Sequence, residues 1–109
     1  MHELAIAESI VAAVREKLAD APIRRVCVEV GRLSGVVPDA LQFCFELATV
    51  GTTLDGAVLD IVSQPGRGHC RECGAEFDTG DFLALCHCGS ADVEVLGGRE
   101  LRIRQVEVV

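Results

Sequence analysis

The chain lacks tryptophan and tyrosine, and only four of its 109 residues are phenylalanine. Half of the residues are nevertheless hydrophobic, so we expect a core built mainly from aliphatic side chains. No apolar run approaches the roughly 20 residues that a membrane-spanning helix needs, and no membrane association is expected. A chain of this length predicts one domain, or one small domain with a metal-held insert.

Basic residues are scarce, since ten lysines and arginines face seventeen acidic residues and give a net charge of -7. Nucleic-acid affinity depends on counterion release by Lys and Arg, so no nucleic-acid partner is expected. Catalytic motifs are lacking as well. The sequence contains no recognisable Ser-His-Asp set, and its glycines never form the GxxxxGK pattern of a phosphate-binding loop.

The first residues also lack the features of a secretory signal peptide. Met1-His2-Glu3 contains an acid rather than a lysine, and Arg15 and Lys17 interrupt the apolar stretch. We therefore expect a cytoplasmic protein. In that reducing compartment paired cysteines bind metal more often than they form disulfides, although a pair of disulfides is the alternative.

Four of the six cysteines form two close pairs, Cys70 with Cys73 and Cys86 with Cys88, and a glycine follows each pair. This pattern is typical of zinc knuckles, in which a tight turn presents two thiolates. Four thiolates would close a tetrahedral site for structural Zn²⁺ and leave no open position for a substrate. The pattern therefore predicts a zinc ribbon and indicates little about chemistry.

The second cysteine pair encloses one residue rather than two, which leaves its geometry open. His69 or His87 could then replace a cysteine as the fourth zinc ligand. Cys27 and Cys44 fall inside a predicted strand and a predicted helix. We expect both to be small core residues rather than redox groups.

Hydrophobic periodicity predicts two helices and three strands outside the cysteine segment. The first helix covers residues 4–19, where apolar residues recur at spacings of three and four: Leu4, Ala7, Val11, Val14 and Leu18. A second helix begins near Pro38, ends before Gly51 and is apolar over most of its surface, so we expect it to be largely buried. Strands are expected at 23–31, at 57–63 and from Leu101, the last with a bulge near Gln105.

Glycine-containing pairs, Pro65-Gly66 and Gly97-Gly98, bracket the cysteine segment and are expected to act as hinges. A zinc-binding ribbon of residues 65–98 would then be inserted between two strands of one sheet. Residues 1–64 together with 99–109 would form a body that binds a second metal. The predicted fold class is α+β: a three-stranded sheet covered by two helices, with an inserted zinc-ribbon module.

The second metal site is expected at Met1-His2-Glu3. Histidine is too large for the usual removal of methionine, so Met1 should keep its free amine. This amine, the deprotonated amide nitrogen of His2 and the His2 imidazole offer three nitrogens in one plane, which suits Ni(II) or Cu(II). Glu3 could add an oxygen. A solvated terminus is the alternative, but the helix predicted from Leu4 anchors the segment.

The chain resembles a known family in the order of four features: Met1-His2-Glu3, Val30-Gly31-Arg32-Leu33-Ser34, Phe43-Cys44-Phe45 and the late cysteine quartet. The family is that of the HypA/HybF hydrogenase nickel-incorporation proteins, and the resemblance covers essentially the whole chain. It implies a metallochaperone that delivers Ni²⁺ to the large subunit of [NiFe] hydrogenase together with a GTPase maturation partner, HypB.

By this resemblance His2 is the principal nickel ligand, assisted by the Met1 amine and Glu3. The resemblance also implies that structural Zn²⁺ is held by the quartet Cys70, Cys73, Cys86 and Cys88. Most family members have Cys-x-x-Cys where this chain has Cys86-His87-Cys88. A terminal site with an open position can release its metal, whereas four thiolates hold theirs, so we expect a metallochaperone and not an enzyme.

Two other classes of function are weighed against this one. The first is a zinc-ribbon adaptor in transcription or RNA handling, but segment 66–98 contains two arginines against six acidic residues. The second is a metal-dependent hydrolase using His2 and Glu3, for which no general base with an orienting partner is evident. Sheet edges of the predicted kind can pair between chains, which leaves a homodimer open.

Overall fold

The computed structural model describes residues 2–79 and 84–109 and confirms the α+β architecture. Its helices are α1 (Glu3–Leu18) and α2 (Pro38–Thr49). Its strands are β1 (Ile23–Gly31), β2 (Val58–Gln64), β3 (Gly66–Cys70), β4 (Glu76–Thr79), β5 (Val93–Gly97) and β6 (Leu101–Val108). Helix 4–19 and strands 23–31 and 57–63 were therefore predicted to within one residue at each end.

The body contains a three-stranded sheet in the order β2-β1-β6, with β1 parallel to β2 and antiparallel to β6. The alternation predicted for β1 is present, since Val26, Val28 and Val30 are buried on one face. They form one core with buried residues of both helices, such as Val11 and Phe45. Burial of these aliphatic side chains holds α1 and α2 against the sheet.

The other face of this sheet bears charged side chains. Glu29 is only 9% exposed there, and its carboxylate accepts a hydrogen bond from Arg102 Nε at 2.6 Å. Arg104 lies 3.7 Å from the second carboxylate oxygen of Glu29. Arg25 pairs with Asp60 in the same way. These ion pairs bring opposite charges together on the face of the sheet away from the helical core.

The predicted bulge in the last strand is confirmed. The partner of Cys27 is Gln105, but the partner of the next residue, Val28, is Ile103. Arg104 is therefore the extra residue of β6. The bulge returns Ile103 and Val106 to the core side of the sheet, where both pack against buried residues.

The prediction that α2 is largely buried was wrong for its outer side. Leu41 and Phe45 are buried, as expected, but Phe43 is 62% exposed and Leu47 is 55% exposed. A helix packed on a sheet and one neighbouring helix can bury only part of its circumference. The outer side of α2 is therefore an apolar surface rather than a core element.

The cysteine segment forms a second three-stranded sheet, in the order β4-β3-β5, between β2 and β6 of the body. The chain enters and leaves this ribbon at a close backbone crossing. The N–H of Leu33 donates to the carbonyl oxygen of Gly98 at 2.7 Å, and a Cβ on Gly31 would lie 2.0 Å from that oxygen. The necks are thus packed against the body, while the hinge motion expected of them stays a prediction.

The helices in the described part of the chain are too short or too polar to cross a membrane.

Candidate metal centres

The four cysteines predicted to bind zinc come together at one end of the ribbon. Their sulfur atoms all lie within 4.8 Å of one another. Cys70 Sγ lies 3.7 Å from Cys88 Sγ, and Cys73 Sγ lies 3.4 Å from Cys86 Sγ. Zn–S bonds of about 2.3 Å would place tetrahedral sulfurs about 3.8 Å apart, so this donor set fits zinc.

Two tight turns position these sulfur atoms. In the first knuckle Gly74 N–H donates to Cys70 O at 2.9 Å, and in the second Gly89 N–H donates to Cys86 O at 2.9 Å. Gly74 and Gly89 have φ values of 80° and 89°, which residues with a Cβ rarely adopt. The second turn is one residue shorter, yet both of its sulfurs reach the cluster.

The four thiols differ in burial, and Cys70 and Cys86 also differ in pKa. Cys70 and Cys86 are buried, whereas Cys73 and Cys88 are exposed. The N–H of Cys73, directed at Cys70 Sγ, lowers the pKa of the Cys70 thiol to about 6. The N–H of Cys88 lowers the pKa of Cys86, but the neighbouring Cys73 thiol and burial outweigh it and raise that pKa to about 12. Four thiolates this close together need a cation to balance their charge.

Neither candidate histidine of the ribbon joins this cluster among the described residues. The ring of His87 instead lies beside that of Phe77, with the centroids 6.3 Å apart. His69 lies on β3, paired with Glu76 of β4 and Glu94 of β5. The geometry therefore favours four cysteines as the donor set.

The N-terminal candidates lie at the start of α1. Met1 is outside the described residues. His2 is exposed and precedes the first helical residue, and its carbonyl oxygen accepts a hydrogen bond from the N–H of Ile6 at 3.1 Å. The first N–H groups of a helix have no partner within the helix, so a metal could take the His2 amide nitrogen without breaking a helical bond.

Glu3 has a partner that the sequence did not indicate. Its Oε2 accepts a hydrogen bond from the backbone N–H of Val37 at 3.0 Å. Val37 precedes the first residue of α2, Pro38, so the carboxylate lies at the positive end of that helix. This N–H lowers the pKa of Glu3. Pro38 marks a helix start whose N–H groups need an acceptor, but only the fold brings Glu3 to it.

A groove that the sequence did not predict begins at His2. Its volume is about 530 Å³, and mostly apolar residues of α1 and of the sheet line it, among them Ile6, Ile10, Leu101 and Ile103. Arg102 borders the groove as well. The start of α1 therefore contacts the start of α2 through Glu3 and borders this groove, and His2 is exposed.

A two-helix, three-stranded body with an inserted four-cysteine ribbon defines a small α+β protein with a candidate metal site. The chain belongs to the HypA family. The sequence model of that family, described as hydrogenase/urease nickel incorporation, metallochaperone, hypA, matches residues 1–108.

Named relatives agree with this assignment. The chain is 46% identical over 108 residues to the hydrogenase maturation factor HypA of Trichormus variabilis, covering 99% of this chain and 96% of the relative. It is 43% identical over 109 residues to the factor of the same name from Geobacter metallireducens, covering 99% of both.

A solved structure shares the fold. The solution structure of the Ni metallochaperone HypA from Helicobacter pylori matches with a TM-score of 0.68 and 28% sequence identity. The match covers 100% of this chain and 98% of that one. The expected family is thus confirmed by sequence and by fold.

Proposed function

We propose that this protein binds Ni(II) at its N-terminus and delivers it during maturation of [NiFe] hydrogenase. The match of residues 1–108 to a family of nickel-incorporation metallochaperones is the observation that supports this most directly. The protein would act as a carrier and not as an enzyme, and nickel would be its cargo. Because a nickel carrier works where its acceptor matures, we expect the cytoplasm as its location.

The proposed nickel ligands are the Met1 amine, the amide nitrogen of His2 and the His2 imidazole. Three nitrogens in one plane suit the square-planar preference of Ni(II) and leave one position for an incoming ligand. The exposure of His2 supports release, because an acceptor can approach the metal directly. Glu3 would add an oxygen ligand, although one of its carboxylate oxygens already accepts a hydrogen bond from the Val37 N–H.

The proposed role of Cys70, Cys73, Cys86 and Cys88 is to hold a structural Zn²⁺. Four sulfur donors complete a tetrahedral zinc site, so this metal would be retained while nickel is passed on. Zinc would supply the charge that keeps four thiolates together and would thereby stabilise the ribbon. We propose residues 65–98 as a separable zinc-binding unit and residues 1–64 plus 99–109 as the nickel-binding body.

The proposed partners are the GTPase HypB, which assists maturation, and the large subunit of [NiFe] hydrogenase, which receives the nickel. A nucleic-acid partner is disfavoured because the two arginines of the ribbon are already neutralised. Arg67 pairs with Asp78 at 2.9 Å, and Arg71 pairs with Asp92 at 2.9 Å. The basic footprint that phosphate binding requires is therefore lacking in the described ribbon.

The nickel proposal is tested by Ni(II) titration of untagged protein. His2→Ala, or a few residues added before Met1, should abolish tight Ni(II) binding while zinc content stays at one per chain. His87→Ala is the matched control, since it removes an exposed histidine from the ribbon. Equal nickel affinity in the N-terminally extended protein would refute the terminal site.

The zinc proposal is tested by Cys73→Ala, with Cys27→Ala as a control outside the cluster. Cys73→Ala should lose zinc and unfold residues 65–98, while amide exchange in α1 and α2 stays slow. Nickel affinity measured before and after this change shows whether the two sites are coupled. Loss of helix on zinc removal would contradict a separable ribbon.

A further inference from the structure

The outer side of α2 presents a row of large apolar side chains to solvent. Phe43 is 62% exposed, Leu47 55% and Val50 69%. They are four and three residues apart, so they lie on one side of the helix and at its end. Soluble domains rarely expose a continuous apolar row unless it binds something. This row plays no part in the proposed metal sites.

A crevice of about 570 Å³ lies between α1 and the end of α2. It is lined by α1 residues such as Glu8, Val11 and Arg15, by Ala48 of α2 and by Thr52. Leu4 is 46% exposed and lies one turn before Glu8, so it continues the same side of α1. We call Leu4, Phe43, Leu47, Val50 and the adjoining crevice the two-helix surface.

Charge around the two-helix surface is mostly negative. The crevice is lined by Glu8, Glu16 and Asp20 against the single cation Arg15. Helix α2 contributes Asp39 and Glu46 and contains neither Lys nor Arg. A second copy of this chain would bring like charges together, and an anionic membrane would do the same. An apolar partner with basic flanks is complementary.

We propose that the two-helix surface docks an amphipathic helix of a partner protein, with Lys or Arg on both sides of its apolar stripe. Apolar residues at helical spacing would cover Phe43 and Leu47, as in other helix-in-groove complexes. The basic residues would pair with Glu8 and Glu46. Because α1 begins directly after His2, the docked helix would lie on the same two helices that position the proposed nickel site.

The probe for this surface is a fluorescent amphipathic peptide of leucine and lysine, titrated into the full-length protein. Phe43→Ser combined with Leu47→Ser should weaken binding at least about tenfold, because both side chains would be central anchors. Leu96→Ser is the matched control, since Leu96 is a 49% exposed apolar residue of the ribbon. It should change the Kd less than about twofold.

The charge part of the proposal is tested separately. Glu8→Lys combined with Glu46→Lys should weaken binding several-fold and flatten its salt dependence, while the apolar residues stay in place. A peptide of the same composition in scrambled, non-amphipathic order should bind at least about tenfold more weakly. If the serine variant loses helix content, the charge-reversed variant decides the test.

Several outcomes would overturn the proposal. Equal binding of the scrambled peptide, or unchanged binding by both double variants, would show that this surface does not recognise a basic helix. A dimer seen by sedimentation velocity and lost on Phe43→Ser/Leu47→Ser would assign the surface to a second copy. Binding to phosphatidylcholine–phosphatidylglycerol vesicles, lost in the same variant, would assign it to a lipid surface.

Discussion

The carboxylate of Glu3 accepts a hydrogen bond from the backbone N–H of Val37 at 3.0 Å and thereby joins the starts of the two helices. A negative charge at the first turn of α2 interacts favourably with the helix dipole. The residue before Glu3 is His2, so this bond also restrains the proposed nickel ligand. Preorganising a ligand lowers the entropy that metal binding must offset.

Replacing Glu3 by Gln should lower the Tm at pH 7, because the neutral amide accepts the Val37 N–H less strongly. The Val37 N–H lowers the folded-state pKa of Glu3 below its ordinary value of 4.5. The stabilisation is therefore present above pH 4.5 and is lost as the pH falls through the lowered folded-state pKa. The Tm difference from wild type should shrink on acidification. Glu8→Gln, in the middle of α1, should give no such pH-dependent Tm difference. A Tm difference between Glu3→Gln and wild type that persists at low pH would contradict this account.

Gly31→Ala should destabilise the whole protein, because its Cβ would lie 2.0 Å from the carbonyl oxygen of Gly98. Both groups are backbone, so neither can rotate away, and we expect a cost of about 3 kcal/mol in urea unfolding. Gly35→Ala is the control, since a Cβ there meets nothing within 4 Å and only the φ of 81° is strained. That change should cost about 1 kcal/mol. Equal losses of unfolding free energy for the two variants would mean that the backbones at Gly31 and Gly98 are not tightly packed.

Glu29→Gln should lower the free energy of unfolding by about 2 kcal/mol, because the carboxylate is nearly buried and two arginines would lose their counter-charge. Arg104→Gln is the control, since this guanidinium is 55% exposed and 3.7 Å from Glu29. It should cost about 0.5 kcal/mol. A larger loss of unfolding free energy for Arg104→Gln than for Glu29→Gln would show that Glu29 is not the centre of these ion pairs.

His87→Ala should retain one zinc per chain in a chelator competition, because the His87 ring lies against Phe77 and outside the sulfur cluster. Cys88→Ala, the neighbouring change within the same short knuckle, should lose the metal. If His87→Ala released zinc as readily as Cys88→Ala, the histidine would be a ligand after all.

Most of the local structure could be predicted from the sequence. The spacing of Leu4, Ala7 and Val11 has the period of one helical face, and Val26, Val28 and Val30 alternate as a half-buried strand does. The broken alternation near Gln105 predicted the bulge. These features are local, because a few neighbouring residues determine their backbone geometry.

The burial of α2 could not be predicted in the same way. Its residues Phe43 and Leu47 are as apolar as the buried Leu41 and Phe45. Composition alone does not tell how many neighbours a helix has. The sheet and α1 leave its outer side exposed, so two of its four large apolar residues, Phe43 and Leu47, face solvent.

The sequence by itself determined the two candidate donor sets, because Met1-His2-Glu3 and the paired cysteines place their ligands within a few residues of one another. Chelation by adjacent residues is a local property and needs no knowledge of the fold. Only the tertiary structure decided that Cys73 and Cys86 meet at 3.4 Å, that Glu3 reaches Val37 across 34 residues, and that Gly31 must accept the backbone of Gly98. Those contacts form only when the strands have paired and the whole core has packed, because the packing sets the distances between these residues.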